Sequence, residues 1–277
     1  MLIFSLGCVT TQPNYGLVLN LQSDPPAVFQ NSITKVHVDI TNTDIKRLEN
    51  VKAEIFNPGL MSPLNNQLCV QRGDFGTLFA GEFRTFSCDF SARQINQDRV
   101  RTTLDAKAIF DADFEAVQQV ELITEQEYNN RVASSGVQLK PQSYVYNDRN
   151  IELRVDFTDS LPVVIKEGRQ FFVRFTIRNI GNGFINALKP EDVSILQKPS
   201  LEQGITESNV LQSVNAQGNF EPCRLEETLL PIGKEFPSFS CQIFMPSNAR
   251  AITNYNFIIQ IRYHYEIRDS VTVDIVR

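Results

Sequence analysis

Tryptophan is absent from this 277-residue chain, histidine occurs twice and methionine three times. Each scarcity excludes something. Without Trp there is no antibody-type core in which an indole packs against an inter-sheet disulfide. The two histidines, His37 and His264, fall at non-equivalent places in β-like segments, where a lone imidazole is ordinarily a sheet residue. No Gly-x-Ser-x-Gly elbow, phosphate-binding loop or His-Glu-x-x-His sequence is present, so no catalytic set or cofactor motif is legible. No apolar run approaches the ~20 residues that a spanning helix needs. Positive charge is in deficit: 26 Lys and Arg stand against 32 Asp and Glu, a net charge of −6. That balance argues against a nucleic-acid partner, because phosphate neutralisation requires clustered cations. The short run Ile45-Lys46-Arg47 reads as a solvated strand end. There is no Asn-x-Ser/Thr sequon, so glycan shielding gains no support.

Phenylalanine, by contrast, occurs 20 times and supplies the bulk that Trp would otherwise bring to a core. With 42% hydrophobic and 21% charged residues, the composition is that of a folded globular protein long enough for two domains. Four of the five cysteines sit in two matched blocks. One runs from Cys69 to Cys88, the other from Cys223 to Cys241, and both close on Glu-Phe-x-x-Phe-Ser-Cys. The paired cysteines are 19 and 18 positions apart. The expectation is one disulfide per copy, Cys69 with Cys88 and Cys223 with Cys241, each closing a loop for about 3 kcal/mol on chain-entropy grounds. Disulfides persist in oxidising compartments, so this reading implies export. The alternatives are four buried free thiols or a shared zinc ion. Against zinc, Cys-x2-Cys spacing is missing and no His lies near any cysteine.

The repeat extends beyond the cysteines. Val36, Val38 and Ile40 alternate with polar residues up to Asn42, and Val173, Phe175 and Ile177 do the same up to Asn179. Period-two alternation marks a strand with one buried face. The terminal Asn suits a turn, since its side chain can bond nearby backbone. Upstream, Asp24-Pro-Pro-Ala-Val28 parallels Ser160-Leu-Pro-Val-Val164. Downstream, Ala106, Ala108 and Phe110 match Ile259, Ile261 and Tyr263, and Phe114, Val120 and Leu122 match Ile267, Val273 and Ile275. These segments predict a closing hairpin in each copy. The second copy carries about 17 extra residues between Asn179 and Cys223, because the offset between copies moves from 137 to 154. That insertion, centred on 199–218, reads as a surface excursion.

Short strands with turn signals between them predict an all-β chain of two tandem antiparallel immunoglobulin-like β-sandwiches joined by a short helix-containing linker. The boundaries read as an N-terminal apolar segment over 1–14, a first sandwich over 15–123, a linker over 124–148 and a second sandwich over 149–277. Within the linker, Thr124 and Glu127 form a capping box and Gly136 supplies a C-terminal stop. Tyr128 and Val132 share a helical face suited to docking. Residues 139–148 read as an extended connector.

The fifth cysteine, Cys8, ends the apolar stretch Met1-Leu-Ile-Phe-Ser-Leu-Gly-Cys8 and is followed by polar residues. This resembles the end of a lipoprotein signal peptide, which implies a lipid anchor on Cys8, although Ser5 stands where Leu is usual and no positive segment precedes it. The alternative is an ordinary buried first strand with a free Cys. Asp105, Asp111, Asp113 and Glu115 form the densest acidic cluster. At a hairpin tip Asp111, Asp113 and Glu115 are a weak Ca2+ candidate, since calcium takes carboxylate oxygens. The alternative is a solvated edge that discourages strand pairing.

Pro162-Val-Val-Ile-Lys-Glu-Gly168, the strand from Phe172 to Arg178 and its exit Asn179-Ile-Gly-Asn-Gly183 resemble tandem CARDB-type and related immunoglobulin-like domains of cell-surface proteins, especially archaeal lipoproteins. The first copy departs from the pattern, with Gln30-Asn-Ser in place of Glu-Gly and no Gly after Asn42. The resemblance implies adhesion, spacer or accessory roles. The resulting expectation is a non-enzymatic, lipid-anchored surface protein that binds another surface protein or polymer and touches the membrane through its lipid only. Two further readings stand beside it. One is self-assembly into a filament or sheath through the apolar strand Leu2–Leu6. The other is an accessory to a surface enzyme, using the 199–218 insertion as contact loop.

Overall fold

A computed structural model describes residues 16–64, 73–135, 140–166, 171–199, 223–243 and 252–277. The described chain is predominantly β, in antiparallel sheets, with one α-helix and one 3₁₀ turn. It separates into two compact units whose membership is not sequential. The first comprises the described residues up to Phe110 together with Glu266–Arg277; the second comprises Asp111–Tyr265.

The first unit carries a four-stranded antiparallel sheet in the order β1 (Leu17–Asp24), β3 (Ile33–Asn42), β7 (Phe83–Ala92) and β5 (Met61–Pro63). Alternation is strict. Leu17, Leu19 and Leu21 of β1, Val36, Val38 and Ile40 of β3, and Cys88, Phe90 and Ala92 of β7 are all buried, while the residues between them are not. One face of this sheet therefore makes core. A second set of strands in this unit contains β2 (Ala27–Phe29), β4 (Leu48–Asn57), β6 (Gly73–Leu78), the opening half of β8 (Arg99–Thr124) and the closing part of β16 (Ile252–Val276). It contributes Val51, Ala53, Ile55, Leu104, Ala106, Ala108, Phe110, Val273 and Ile275 to the interior.

The second unit repeats the plan. β15 (Phe239–Ile243), β12 (Phe171–Asn179), β10 (Ile151–Leu161) and β9 (Lys140–Asn147) form its four-stranded antiparallel sheet. β11 (Val163–Ile165), β13 (Val193–Pro199), β14 (Cys223–Arg224), the closing half of β8 and the opening part of β16 form the other set. The helix α1 spans Glu125–Ser135.

Matching registers establish the duplication residue by residue. In the first unit Leu17 lies opposite Asn42 and Val36 opposite Cys88; in the second Ile151 lies opposite Asn179 and Val173 opposite Cys241. The peptides before Pro25 and Pro162 are both cis. The Asn turns are equally alike. Asn42 donates through Nδ2 to the Lys46 carbonyl at 2.9 Å and accepts from the Asp44 amide at 2.9 Å. Asn179 donates to the Gly183 carbonyl at 2.8 Å and accepts from the Gly181 amide at 3.1 Å. The same side chain thus closes the same turn in each copy, as its predicted role requires.

Three expectations need correction. The closing hairpins do not form: β8 and β16 are each one unbroken strand. Neither crossing region, Phe110–Phe114 or Tyr263–Ile267, contains Gly, Pro or Asn to supply hairpin geometry. Inward-facing residues keep the same parity along β8 from Leu104 to Leu122. Each strand therefore begins in one unit and ends in the other, so the spans 15–123 and 149–277 do not coincide with the compact units. Second, α1, expected within a linker over 124–148 with a face suited to docking, belongs to the second compact unit and contacts β11. Third, the extended connector is the edge strand β9, paired antiparallel with β10 through Tyr144, Val145 and Tyr146.

The result is a reciprocal exchange. β2 runs parallel to the end of β16, with Val28 opposite Ile275. β11 runs parallel to the end of β8, with Val163 opposite Leu122. Leu122 and Ile275 are equivalent positions of the repeat, and each completes the unit that begins with the other copy.

Candidate functional site

The long strands β8 and β16 carry the acidic cluster and His264 singled out from sequence. In the first unit, the segment Glu266–Arg277 is held by several specific contacts. The Leu21 amide donates to Asp269 Oδ2 at 3.0 Å. The Gln30 amide donates to the Val276 carbonyl at 2.8 Å, and the Asp274 amide donates to the Pro26 carbonyl at 3.1 Å. Arg268 stacks its guanidinium 5.3 Å from the Phe56 ring centroid. Asp274 pairs with Arg99 and, at 3.3 Å, with Arg101. The Arg99 hydrogen bond holds the Asp274 carboxyl below the usual carboxylate range. Because both arginines are well exposed, water screens this pair, and it orients the strand more than it stabilises it.

In the second unit, the acidic cluster lies on one edge of β8 and faces β16. Asp111 pairs with His264, Asp113 with Arg262 at 3.1 Å, and Glu115 accepts from Gln260 Nε2 at 3.0 Å. The three carboxylates form a cross-strand ladder, each with its own donor, instead of converging on a shared point. Among the described residues no group of three metal-ligating side chains is close enough to hold an ion. Asp105, in the first unit, accepts from Asn57 Nδ2 at 2.6 Å. His37 lies in β3 opposite Ser87.

A buried polar network in the second unit escaped the sequence reading. Tyr263 donates to Asp148 Oδ2 at 2.7 Å and accepts from Asn150 Nδ2 at 3.3 Å. The Gly183 amide donates to Tyr265 Oη at 2.7 Å. Burial and the adjacent Asp148 carboxylate push the Tyr263 phenol far above its ordinary value, and burial raises Tyr265 as well. Both phenols remain protonated across the physiological range. Gly181 makes the packing possible: a Cβ there would fall 2.1 Å from Tyr265 Oη. The signal available from sequence was the pair Tyr263 and Tyr265 beside Gly181 and Gly183, where the first copy has Phe110, Ala112 and no glycine.

α1 frames a cleft of about 190 Å³ lined by Glu125, Tyr128 and Asn129 with Asp159, Val163 and Lys166. Thr124 Oγ1 accepts from the Glu127 amide at 3.3 Å, which is half of the expected capping box. The Glu127 carboxylate turns instead to Arg131, which also grips Glu121 through two bonds of 2.8 and 3.1 Å. Val132 is 42% exposed and takes no part in docking.

Cys88 and Cys241 are buried and disulfide-bonded, so neither is a titrating thiol. Cys223 opens β14 opposite Ile195, and β14 approaches β15, which carries Cys241. Cys69, Cys8, the segment Leu2–Leu6 and residues 200–218 of the insertion lie outside the described residues, as does the side chain of Cys223.

No family model matches the chain, and no curated protein matches it. Among solved structures, the secreted serine protease VesC from Vibrio cholerae is similar over 92% of this chain and 51% of that one, at 10% identity and a TM-score of 0.21. The chain spans about half the length of that protein. Likeness at this level carries no argument about fold or activity.

Proposed function

We propose that the chain is a non-enzymatic, exported surface protein whose two units are immunoglobulin-like β-sandwiches serving as a binding, adhesion or spacer module. The observation that carries this reading is the equivalence of Cys88 and Cys241. Both are buried and disulfide-bonded, and each lies opposite the same position of its neighbouring strand, Val36 or Val173. Their partners in this reading are Cys69 and Cys223. Two internal crosslinks at matched positions suit a chain that folds where thiols are oxidised. The repeated registers, the four-stranded sheet in each unit and the alternating buried faces support the sandwich assignment. The anchor is a lipid on Cys8, and the partner is another surface protein or polymer.

Peptide mapping of native material without reductant tests the crosslinks: the expected products are Cys69–Cys88 and Cys223–Cys241. All four thiols proving alkylatable in the folded protein overturns the reading. Mass spectrometry of the same material tests the anchor, with a lipidated Cys8 as the amino terminus expected and an unmodified Met1 terminus counting against it.

A further inference from the structure

We propose that the slot of the first unit occupied by Glu266–Arg277 is a strand-acceptor site that also takes this segment from a second copy of the chain, so that copies associate by exchanging their final strand. The inference rests on the exchanged topology and is independent of export or anchoring.

Three observations lead to it. First, the segment that fills the slot is separated in the chain from the rest of the first unit by the whole of Asp111–Tyr265, which belongs to the other unit. Completion of the first unit therefore does not depend on local chain connection. Second, the two slots are equivalent. Each offers a short parallel strand, β2 or β11, to a donor carrying the same alternation, with Ile275 or Leu122 at the matched place. A slot of this kind recognises an apolar and hydrogen-bonding pattern. Third, both crossings are extended and lack turn residues, so no tight turn folds the donor back on itself.

The contacts that seat the donor are the same whichever chain supplies it. Val273 and Ile275 are fully buried, Asp269 accepts from the Leu21 amide, Asp274 meets Arg99 and Arg101, and Arg268 covers Phe56. The two modes differ in effective concentration. A segment tethered within its own chain competes at a local concentration on the order of millimolar, whereas a second copy competes at its bulk concentration. Reciprocal exchange between two copies leaves no slot empty and gives a closed, symmetric pair.

Phe29 and Val276 are register partners in the parallel pair and supply the test. Chains carrying Phe29→Cys and chains carrying Val276→Cys are unfolded, mixed and refolded together, and the products are mapped. The expected result is an interchain bond between positions 29 and 276 whose yield climbs with chain concentration. In the double variant, which reports seating of the strand, a tenfold rise in concentration raises the interchain-to-intrachain ratio about tenfold. Adding Ile275→Asp to the Val276→Cys chain abolishes the interchain product. An intrachain bond in the double variant with no interchain bond in the mixture, at any concentration up to millimolar, overturns the proposal. So does persistence of the crosslink with Ile275→Asp, which marks random collision. A folded double variant without the 29–276 bond overturns the seating itself.

Discussion

The two units solve the same packing problem with different polarity. Where the first repeat has Phe110 and Ala112 on β8, the second has Tyr263 and Tyr265 on β16. Phenyl and methyl groups ask nothing of the turn beside them. The first unit accordingly follows Asn42 with Thr43, Asp44 and Ile45, and its spare Asn42 amide hydrogen goes to the Leu78 carbonyl at 3.0 Å. Two buried phenols need partners, because an unmade bond in the interior costs the full desolvation of the group. The second unit meets that need with Asp148, Asn150 and the Gly183 amide, and with Gly181 trimmed to let the Tyr265 hydroxyl through. The glycines after Asn179 are therefore explained by chemistry on a distant strand. Duplication preserved the backbone, while the cores diverged in how much polarity they tolerate.

The exchange of final strands supplies the sharpest way to separate the units. Ile275→Ala is expected to cost roughly 2–5 kcal/mol and to act on the first unit. Leu122→Ala, of similar magnitude, is expected to act on the second. Amide hydrogen exchange checks both, since each variant should speed exchange in the unit that does not begin with its own repeat. Protection lost in the same-repeat unit would show that the strands are not exchanged.

Gly181→Ala comes next. Its methyl collides with Tyr265 Oη, so a loss of about 1–3 kcal/mol in thermal or denaturant melting is expected, confined to the second unit. Combining it with Tyr265→Phe should recover part of that loss. No recovery would place the strain elsewhere.

Alkaline pH discriminates further. Tyr255, Tyr263 and Tyr265 are all raised by burial, and all three lie in the second unit. A phenol whose folded value exceeds its unfolded value of 10.0 contributes stability below about pH 10. That contribution is lost as pH rises further. The second unit is thus expected to open first on alkaline titration, followed by tyrosinate absorbance and hydrogen exchange, and Tyr263→Phe should flatten the dependence.

The smallest effect belongs to the first unit in acid. Asp274 is depressed by its Arg99 hydrogen bond, so its contribution is present above the ordinary value of 3.8 and fades as pH falls through its lower folded value. Asp274→Asn should lower the first-unit melting midpoint slightly at neutral pH and remove this part of its acid dependence, so that variant and parent converge in acid.

Much of this architecture was legible because period-two alternation and the Asn turns are local signals. Val36, Val38 and Ile40 face inward as expected, as do Val173, Phe175 and Ile177. The helix over Glu125–Ser135 announced itself through Thr124. The strand exchange was missed because correspondence between copies says which segments are alike and nothing about which slot each enters. The telling feature was negative: 26 residues of β8 run without a turn former at the supposed hairpin tip. The calcium reading depended on that tip. Once β8 runs straight, Asp111, Asp113 and Glu115 each meet a donor across the ladder.

Gly16 and Arg277 belong to the same unit, with the other spliced between them. Tension applied at those two points would load the first unit alone, beginning with the hold of β2 on Val276. The second would stay slack, a reserve of chain length released only after its companion had yielded.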